Sequence, residues 1–509
     1  MQPLRAPRAL VDAPCPYWGM SSSPLSPAVA AHLPTTLLVD GRWQPSSTGA
    51  TFEVSDPSTE ETLFDVADGS PEDGVRALDA AHTHAEVWRR ASPRTRSDVL
   101  RDVFDALTHR AEDVAAIITA ECGKPLAESR AEVTYGAEFV RWYAEQAVRV
   151  PGLVRTSPAG GGTQMVHRRP VGPALLITPW NFPLAMLTRK IAPALAAGCT
   201  VVVKPARLTP LTTLFVAEIV REALVAHGLP GGILNVVPTS SSREVTGPLL
   251  ADPRLRKLSF TGSTPVGRSL LESAAGGVLK TSMELGGNAP FLVFGDADLD
   301  AAVEGAMVAK MRNSGQTCVA ANRFLVHESV AEDFTDRLTA AFDALVVGPG
   351  TQDGVTVGPL IEAAAVESVD AVVQSAVDAG ARVRTGGSAP SGRGHFYLPT
   401  VLDRVPRDST VVTDETFGPV APVVTFGSDD DGIELANSTE YGLVAYAYTR
   451  DLARALRLSD SLEAGMIGIN RGLVSDASAP FGGLKQSGLG REGGEAGLDE
   501  YLETVYVAM

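Results

Sequence analysis

From about residue 171 onward, apolar and polar positions fall into a regular rhythm of short and long blocks. The runs Ala174 to Thr178, Thr200 to Lys204 and Ile233 to Val237 have the length and near-continuous apolarity of strands buried on both faces. Between them, Ala185 to Ala197 and Pro210 to His227 are long enough for helices. The second is well punctuated: Thr209 suits the N-cap, Pro210 the first helical position and Gly228 the site past the C-terminus. Strands alternating with such helices predict βαβ units and a parallel sheet. A second run of the same kind begins at Pro290 to Phe294. It continues through Val319 to His327, a helix Glu328 to Leu345, and strands near Ala421 to Thr425 and Met466 to Asn470.

The flanks read differently. Thr36 to Trp43 alternates around an Asp40-Gly41 turn, as a short hairpin does, and Pro71 to Ala147 is helical in pattern, with mixed faces from Glu132 to Ala147 that suit surface or interface. Val148 to Arg169, broken at Gly160 to Gly162, and Leu502 to Val507 have strand character but no obvious local partner. Unpaired strand edges invite pairing with another chain, so both segments predict a subunit interface; a detached surface hairpin is the alternative. Residues 1–35 are rich in Pro, Ser and Ala, carry Arg5 and Arg8, and lack the apolar core of a secretory signal. They read as a disordered N-terminal arm, and Met20 can equally be the first residue.

Length and composition narrow the class. The chain has 509 residues, which suggests roughly three domains of ordinary globular character. A net charge of −17 with no basic cluster argues against nucleic acid or an anionic membrane as partner. No run approaches the roughly 20 apolar residues of a membrane span. The cysteines at 15, 122, 199 and 318 show neither C-x-x-C pairing nor zinc spacing, which points to free thiols, a reducing (cytoplasmic) compartment and no metal.

Two residues suggest covalent chemistry. A cysteine thiolate attacks carbon, and a thioester made on it needs a base-activated water for release. Cys318 in Gly315-Gln316-Thr317-Cys318 and Glu284 in Met283-Glu284-Leu285-Gly286-Gly287-Asn288 can divide that work. A literal G-x-G-x-x-G occurs at Gly488, Gly490 and Gly493, but no strand precedes it and no complete βαβ unit follows, so it is set aside. Phe260-Thr261-Gly262-Ser263-Thr264-Pro265-Val266-Gly267 is the better phosphate candidate. It follows the strand-like Leu255 to Ser259 and opens a helix to Ala275, so Gly262, Gly267, the Ser263 hydroxyl and the helix N-terminus can meet an anion. A plain turn is the alternative. Lys204 ends a strand where a nucleotide ribose usually lies, and Arg207 three residues on can hold a 2'-phosphate with two parallel hydrogen bonds. That points to NADP over NAD, unless Arg207 is simply solvated.

Taken together, these residues resemble the aldehyde dehydrogenase family. Pro179-Trp180-Asn181-Phe182-Pro183, Phe260-Thr261-Gly262-Ser263-Thr264, Met283 to Pro290, Gly315 to Cys318, Glu415-Thr416-Phe417-Gly418-Pro419 and the Pro480 to Glu492 segment stand in family order, and the similarity covers about residues 36 to 507. The resemblance implies an α/β fold: an open parallel-sheet (Rossmann-type) cofactor domain from 36–147 and 170–284, an α/β catalytic domain from 285–485, and a β oligomerisation element from 148–169 and 486–509. It implies a homodimer or homotetramer. By the same resemblance Cys318 is the nucleophile, Asn181 the side-chain half of an oxyanion hole and Glu284 the base for thioester hydrolysis. Lys204 and Ser263 match the adenosine-ribose and pyrophosphate positions, Trp180 the cofactor-side motif, Glu415 the nicotinamide-ribose ligand and Phe417 its ring contact. Glu492 stands where a proton relay is implied. Many family members carry Glu where this chain has Arg207, which strengthens NADP and leaves NAD as a second cofactor.

The substrate question turns on Arg189 and Arg312, both expected to face the substrate funnel. An Arg in an apolar funnel of an acidic chain needs an anionic partner, and a substrate carboxylate would serve. Succinate-semialdehyde dehydrogenases in the family carry Arg at both places and a Ser in the loop before Pro480, where Ser475 stands. The alternative is pairing with protein acids such as Glu121 or Asp476. Another semialdehyde, such as glutarate semialdehyde, or a general aldehyde is the next reading. A non-redox cysteine acyl hydrolase would want a His partner, and the eight histidines form no such motif. Val319-Ala320 after Cys318 excludes the second cysteine that some family members use as a redox switch.

Overall fold

The computed structural model describes residues 25–509. The fully buried run Ala174–Ile177 lies inside an eight-stranded sheet because helices cover both its faces. Five parallel strands form the sheet's centre, in the spatial order Leu234–Val236, Val201–Lys204, Ala174–Ile177, Lys257–Thr261 and Lys280–Glu284. The chain therefore steps outward from Ala174–Ile177 in one direction, then returns to build on its other side. That reversal opens a crevice beyond the carboxyl ends of Ala174–Ile177 and Lys257–Thr261, the place where open α/β sheets bind ligands. The hairpin Leu37–Val39 and Arg42–Gln44 extends one edge antiparallel.

The crossover helices follow the pattern with one instructive shift. Leu211–Ala226 begins one residue after the expected Pro210, and Thr209 is not its cap. The Thr209 hydroxyl donates instead to the Trp180 carbonyl at 3.3 Å. The first helical N–H groups are taken by a distant carboxylate, with Leu211 and Thr212 N–H donating to Glu121 at 2.7 and 2.9 Å. Helices Pro71–Arg90, Pro93–His109, Ala111–Cys122 and Leu126–Gln146 account for the helical stretch upstream. A hairpin of Thr51–Ser55 with Thr62–Ala67 was not read from the sequence.

The second unit is a seven-stranded sheet. Its order is Arg382–Thr385, Thr400–Asp403, Val420–Phe426, Ala321–His327, Ala289–Val293, Val444–Tyr448 and Met466–Ile469, parallel except for the first, antiparallel edge strand. The two segments set aside as an interface are partners of each other: Leu502–Ala508 pairs along Thr163–Pro170, which pairs with Leu153–Thr156 in a separate three-stranded sheet.

Two expectations need correction. Within the expected disordered arm, Pro27–His32 is a helix capped by the Ser26 side chain on the Val29 N–H at 3.2 Å. Leu25, Val29 and Leu33 are buried in the main core, and that apolar contact orders the segment; Met1 to Pro24, with Cys15 and Met20, lie outside the described residues. The stretch 486–501 is not part of the separate sheet. Gly488–Leu489 pairs antiparallel with Lys280–Glu284, and helix Gly494–Asp499 follows. Gly488 has φ +136, and a Cβ there would lie 1.9 Å from the Met283 carbonyl, so the discarded glycine fingerprint serves a tight strand approach.

Candidate active site

The two sheets face each other across a cavity of about 220 Å³. From the first unit come Trp180 and Asn181 after the strand Ala174–Ile177, Arg189 from helix Pro183–Ala197, and Gly262 and Ser263 after Lys257–Thr261. From the second come Arg312, Cys318, Glu415, Phe417 and Ser475. Tyr135, Phe182 and Phe481, which the sequence did not single out, also line it. Lys204, Arg207, Gly267, Glu284 and Glu492 do not line this cavity.

Cys318 is held by a strained turn. Helix Leu299–Met311 runs into the turn Arg312–Gly315, where Asn313 and Ser314 adopt φ +50 and +56, unusual for residues with a side chain. Gln316 braces it: its amide donates to the Asn313 and Pro359 carbonyls at 3.1 and 3.3 Å and accepts from the Ile361 N–H at 2.9 Å. Burial pushes the Cys318 thiol up to about 12; the Arg189 charge pulls it down, while Glu415 and Glu284 add to the rise.

Asn181 is fixed at both ends of its amide. Its Oδ1 accepts from the Phe182 N–H at 3.1 Å and its Nδ2 donates to the Gln316 carbonyl at 3.2 Å. An amide nitrogen carries two hydrogens, so one remains for the cavity. Glu284, the last residue of its strand, is 2 % exposed, and neither carboxylate oxygen has a hydrogen-bond partner among the described residues. Burial, then the charge of Glu492, raises its carboxyl well above the usual range, against the pull of Arg189, Lys190 and Arg491. Glu492 accepts from Lys190 at 2.6 Å, and Lys190 also reaches the Ser259 hydroxyl at 2.9 Å.

Arg189 is 2 % exposed, stacked 4.0 Å from the centre of the Phe481 ring, and donates through Nη2 to the Tyr135 hydroxyl. Its Nη1 lies 3.7 Å from Glu492, so a protein acid does approach it, though neither of the two anticipated. Glu121 caps helix Leu211–Ala226 and Asp476 accepts from Ser478. Arg189 Nε and Nη1 make no hydrogen bond among the described residues. Arg312 sits 5.4 Å over the Phe182 ring.

On the cofactor side, Lys204 Nζ donates to the Ser242 hydroxyl at 2.8 Å and burial lowers the amine to about 8. Arg207 is exposed at the loop's tip. Ser263 is the N-cap of helix Thr264–Ala275, but its side chain makes no capping bond, which leaves the hydroxyl and the first helical N–H groups open. Gly267 packs where a Cβ would strike Leu285 at 2.3 Å, so it serves helix–strand packing. Glu415 accepts from the Gly287 N–H at 2.9 Å and is pushed up to about 7 by burial. Trp180 and Phe417 meet edge to face at 5.6 Å. The Thr261 hydroxyl is buried at this rim without a hydrogen-bond partner among the described residues. A helix N-terminus for a pyrophosphate, a carboxylate for ribose hydroxyls and an aromatic wall fit a nicotinamide dinucleotide. Among the described residues no group of three or more His, Cys, Asp or Glu is placed to hold a metal, and no helix is long and apolar enough to cross a membrane.

Comparisons with known proteins agree with this geometry. A model of the aldehyde dehydrogenase family matches residues 43–507. A succinate-semialdehyde dehydrogenase of Paenarthrobacter nicotinovorans is 57% identical over 447 residues, covering 88% of this chain and 98% of its own. A glutarate-semialdehyde dehydrogenase of Pseudomonas aeruginosa is 47% identical, covering 92% and 96%. An NADP-dependent succinate-semialdehyde dehydrogenase of Escherichia coli is 45% identical, covering 93% and 97%. Among solved structures, an E. coli NADP-dependent enzyme superposes with a TM-score of 0.92 at 44% identity, covering 95% of this chain and 99% of that one. A Staphylococcus aureus betaine aldehyde dehydrogenase in complex with NAD+ gives 0.91 at 33% identity, covering 95% and 96%.

Proposed function

The chain belongs to the aldehyde dehydrogenase family, and from that premise we propose that it oxidises succinate semialdehyde to succinate, with NADP as the preferred hydride acceptor and NAD as a second one. The observation that carries the substrate is the Arg189 guanidinium buried in the wall of the cavity that holds Cys318, with Nε and Nη1 free of hydrogen bonds among the described residues and the Glu492 carboxylate no nearer than 3.7 Å. A carboxylate matches that guanidinium with charge-assisted hydrogen bonds. Arg312 adds a second positive charge and Ser475 a hydroxyl from the same wall. The names of the relatives at 57% and 45% identity support the same substrate.

The residues divide the chemistry as follows. The Cys318 sulfur, once deprotonated, bonds to the aldehyde carbon, and the carbonyl oxygen becomes an oxyanion. The free Nδ2 hydrogen of Asn181 and the Cys318 backbone N–H are the donors for it. A nicotinamide dinucleotide, when bound, supplies the acceptor for the hydride that leaves this carbon; Ser263, Lys204, Arg207 and Glu415 are the residues that would hold it. The carbon–sulfur bond then remains as a thioester. Glu284 takes a proton from water, the water oxygen attacks the thioester carbon, and the carbon–sulfur bond breaks, releasing the acid and returning Cys318 as its thiolate. Glu492, bonded to Lys190 and electrostatically linked to Glu284, is the group to pass that proton on.

Glutarate semialdehyde is the second reading. The relative at 47% identity favours it, and side chains from three separate segments fix a charge more tightly than a chain length. Kinetics with semialdehydes and uncharged aldehydes, run with both cofactors, test the proposal. Succinate semialdehyde should exceed hexanal in kcat/KM by about a hundredfold or more, since hexanal leaves Arg189 Nε and Nη1 without the hydrogen bonds a substrate carboxylate would supply. Equal efficiencies would sink the carboxylate clamp.

Assembly as a homodimer or homotetramer is supported by the separate three-stranded sheet, which exposes Leu153, Val154 and Tyr506. A reducing, cytoplasmic location is supported by the free thiols of Cys122, Cys199 and Cys318.

A further inference from the structure

Lys124 and Glu132 form a fully buried ion pair at 2.5 Å, and neither reaches the cavity. Two charges taken out of water are costly unless their geometry is good and their remaining hydrogen bonds are made. Here those bonds all go to one short segment. Lys124 Nζ donates to the Asn181 carbonyl at 2.7 Å and lies 3.9 Å from the centre of the Phe182 ring. Glu132 Oε1 accepts from the Leu184 and Ala185 N–H groups at 3.0 and 3.2 Å.

That segment joins the strand Ala174–Ile177 to helix Pro183–Ala197, whose N-cap is Phe182, a residue with no capping side chain. The Glu132 carboxylate is therefore the helix's cap, placed where the helix dipole favours negative charge. A second clamp meets the same carbonyl: Asn313 Nδ2 donates to Asn181 O at 3.0 Å, and the Asn313 N–H is held by Glu128 at 2.6 Å. Glu128 and Glu132 lie four residues apart on helix Leu126–Gln146, so one helix steadies both Asn181 and the turn that carries Cys318.

We infer that the Lys124–Glu132 pair is a positioning device for the oxyanion donor. By holding the Asn181 carbonyl and capping the helix just after it, the pair fixes where the Asn181 amide points relative to Cys318. The inference rests on Asn181 being that donor, and a double-mutant cycle separates the two claims.

Asn181→Ala alone tests the functional reading, with an expected loss in kcat of about a hundredfold to a thousandfold. Full kcat in that variant would overturn both claims. The positioning claim is read from K124M/E132Q, which removes both charges together and keeps an acceptor for the Leu184 and Ala185 N–H groups. In the wild-type background it should lower kcat about tenfold to a hundredfold. In the Asn181→Ala background the same pair should change kcat by less than about threefold, because the group it positions is gone. Equal fold losses in both backgrounds, or no loss in the first, would overturn the device while leaving Asn181 its role. K124Q/E132Q repeats the cycle with hydrogen-bonding side chains at both positions and no buried charge left unpaired, should K124M/E132Q fold poorly.

Discussion

The two sheets bring the proposed catalytic and cofactor-binding residues together from opposite strand ends. In the first, Asn181, Gly262 and Ser263 follow the carboxyl ends of their strands, and Glu284 is the last residue of Lys280–Glu284. In the second, Cys318 lies just before the amino end of Ala321–His327, and Glu415 and Phe417 just before Val420–Phe426. Carboxyl ends at a point where strand order reverses converge on a crevice by the geometry of the sheet itself. Amino ends have no such rule, so the second unit needs a local device. It has one in the left-handed Asn313 and Ser314 turn and the Gln316 brace.

Substitutions on the two sides should therefore fail in different ways. Cys318→Ala removes the bond-forming atom, and reduction of cofactor by aldehyde should fall by about 10⁵ or more. Activity within tenfold of wild type would place the nucleophile elsewhere. In the proposed division of labour, Glu284→Gln leaves sulfur and oxyanion donors in place and removes only the base. Steady turnover should drop by about a thousandfold, while rapid mixing still yields a burst of reduced cofactor close to one equivalent per active chain. Loss of the burst together with turnover would mean that Glu284 serves the first half of the reaction as well.

Much of this was legible in the chain because each signal was local. The buried strand runs, the helix after Phe260 to Gly267, and the motifs around Glu284 and Cys318 each lie within a few consecutive residues. What escaped was long-range. Lys124 and Glu132 were not singled out: Lys and Glu are almost never fully buried unless paired, and although these two pair with each other, the backbone groups that complete their bonds lie in Asn181 and Leu184, 57 and 52 residues away. Glu121 as the cap of Leu211–Ala226, and Tyr135 and Glu492 around Arg189, were hidden for the same reason. The six-residue helix Pro27–His32 is too short for its own pattern to register; buried contacts from Leu25, Val29 and Leu33 stabilise it.

Arg189 sharpens the comparison, because it belongs to the first unit yet acts on chemistry centred in the second. Arg189→Met should lower kcat/KM for succinate semialdehyde by about a hundredfold and leave hexanal less affected, the difference being the unpaired substrate carboxylate. The same variant should move the pH profile. In the proposed reaction Cys318 and Glu284 both work deprotonated, and burial raises both, so activity should rise with pH toward the alkaline side. The Arg189 charge lowers both groups, so its removal should shift that rise to higher pH when measured with hexanal. A shift to lower pH would mean that another cation governs the thiol.

The smallest expected effect sets a buried arginine against an exposed one. Arg207 sits at the tip of the loop after Val201–Lys204 and makes no ion pair or hydrogen bond among the described residues, while nearby Lys204 is buried against Ser242. An exposed guanidinium interacts through water and is screened by salt; the Arg189 clamp is not. Arg207→Glu places a like charge beside a 2'-phosphate and an acceptor beside an unphosphorylated ribose, so the NADP/NAD ratio of kcat/KM should fall about tenfold. In the wild type, raising salt from about 0.1 M to about 1 M shortens the screening length from ~10 to ~3 Å. The NADP preference should shrink accordingly, while discrimination between succinate semialdehyde and hexanal stays where it was. If the cofactor ratio ignores both the substitution and the salt, Arg207 is merely solvated, and NADP preference must be sought at Lys204 and Ser242 instead.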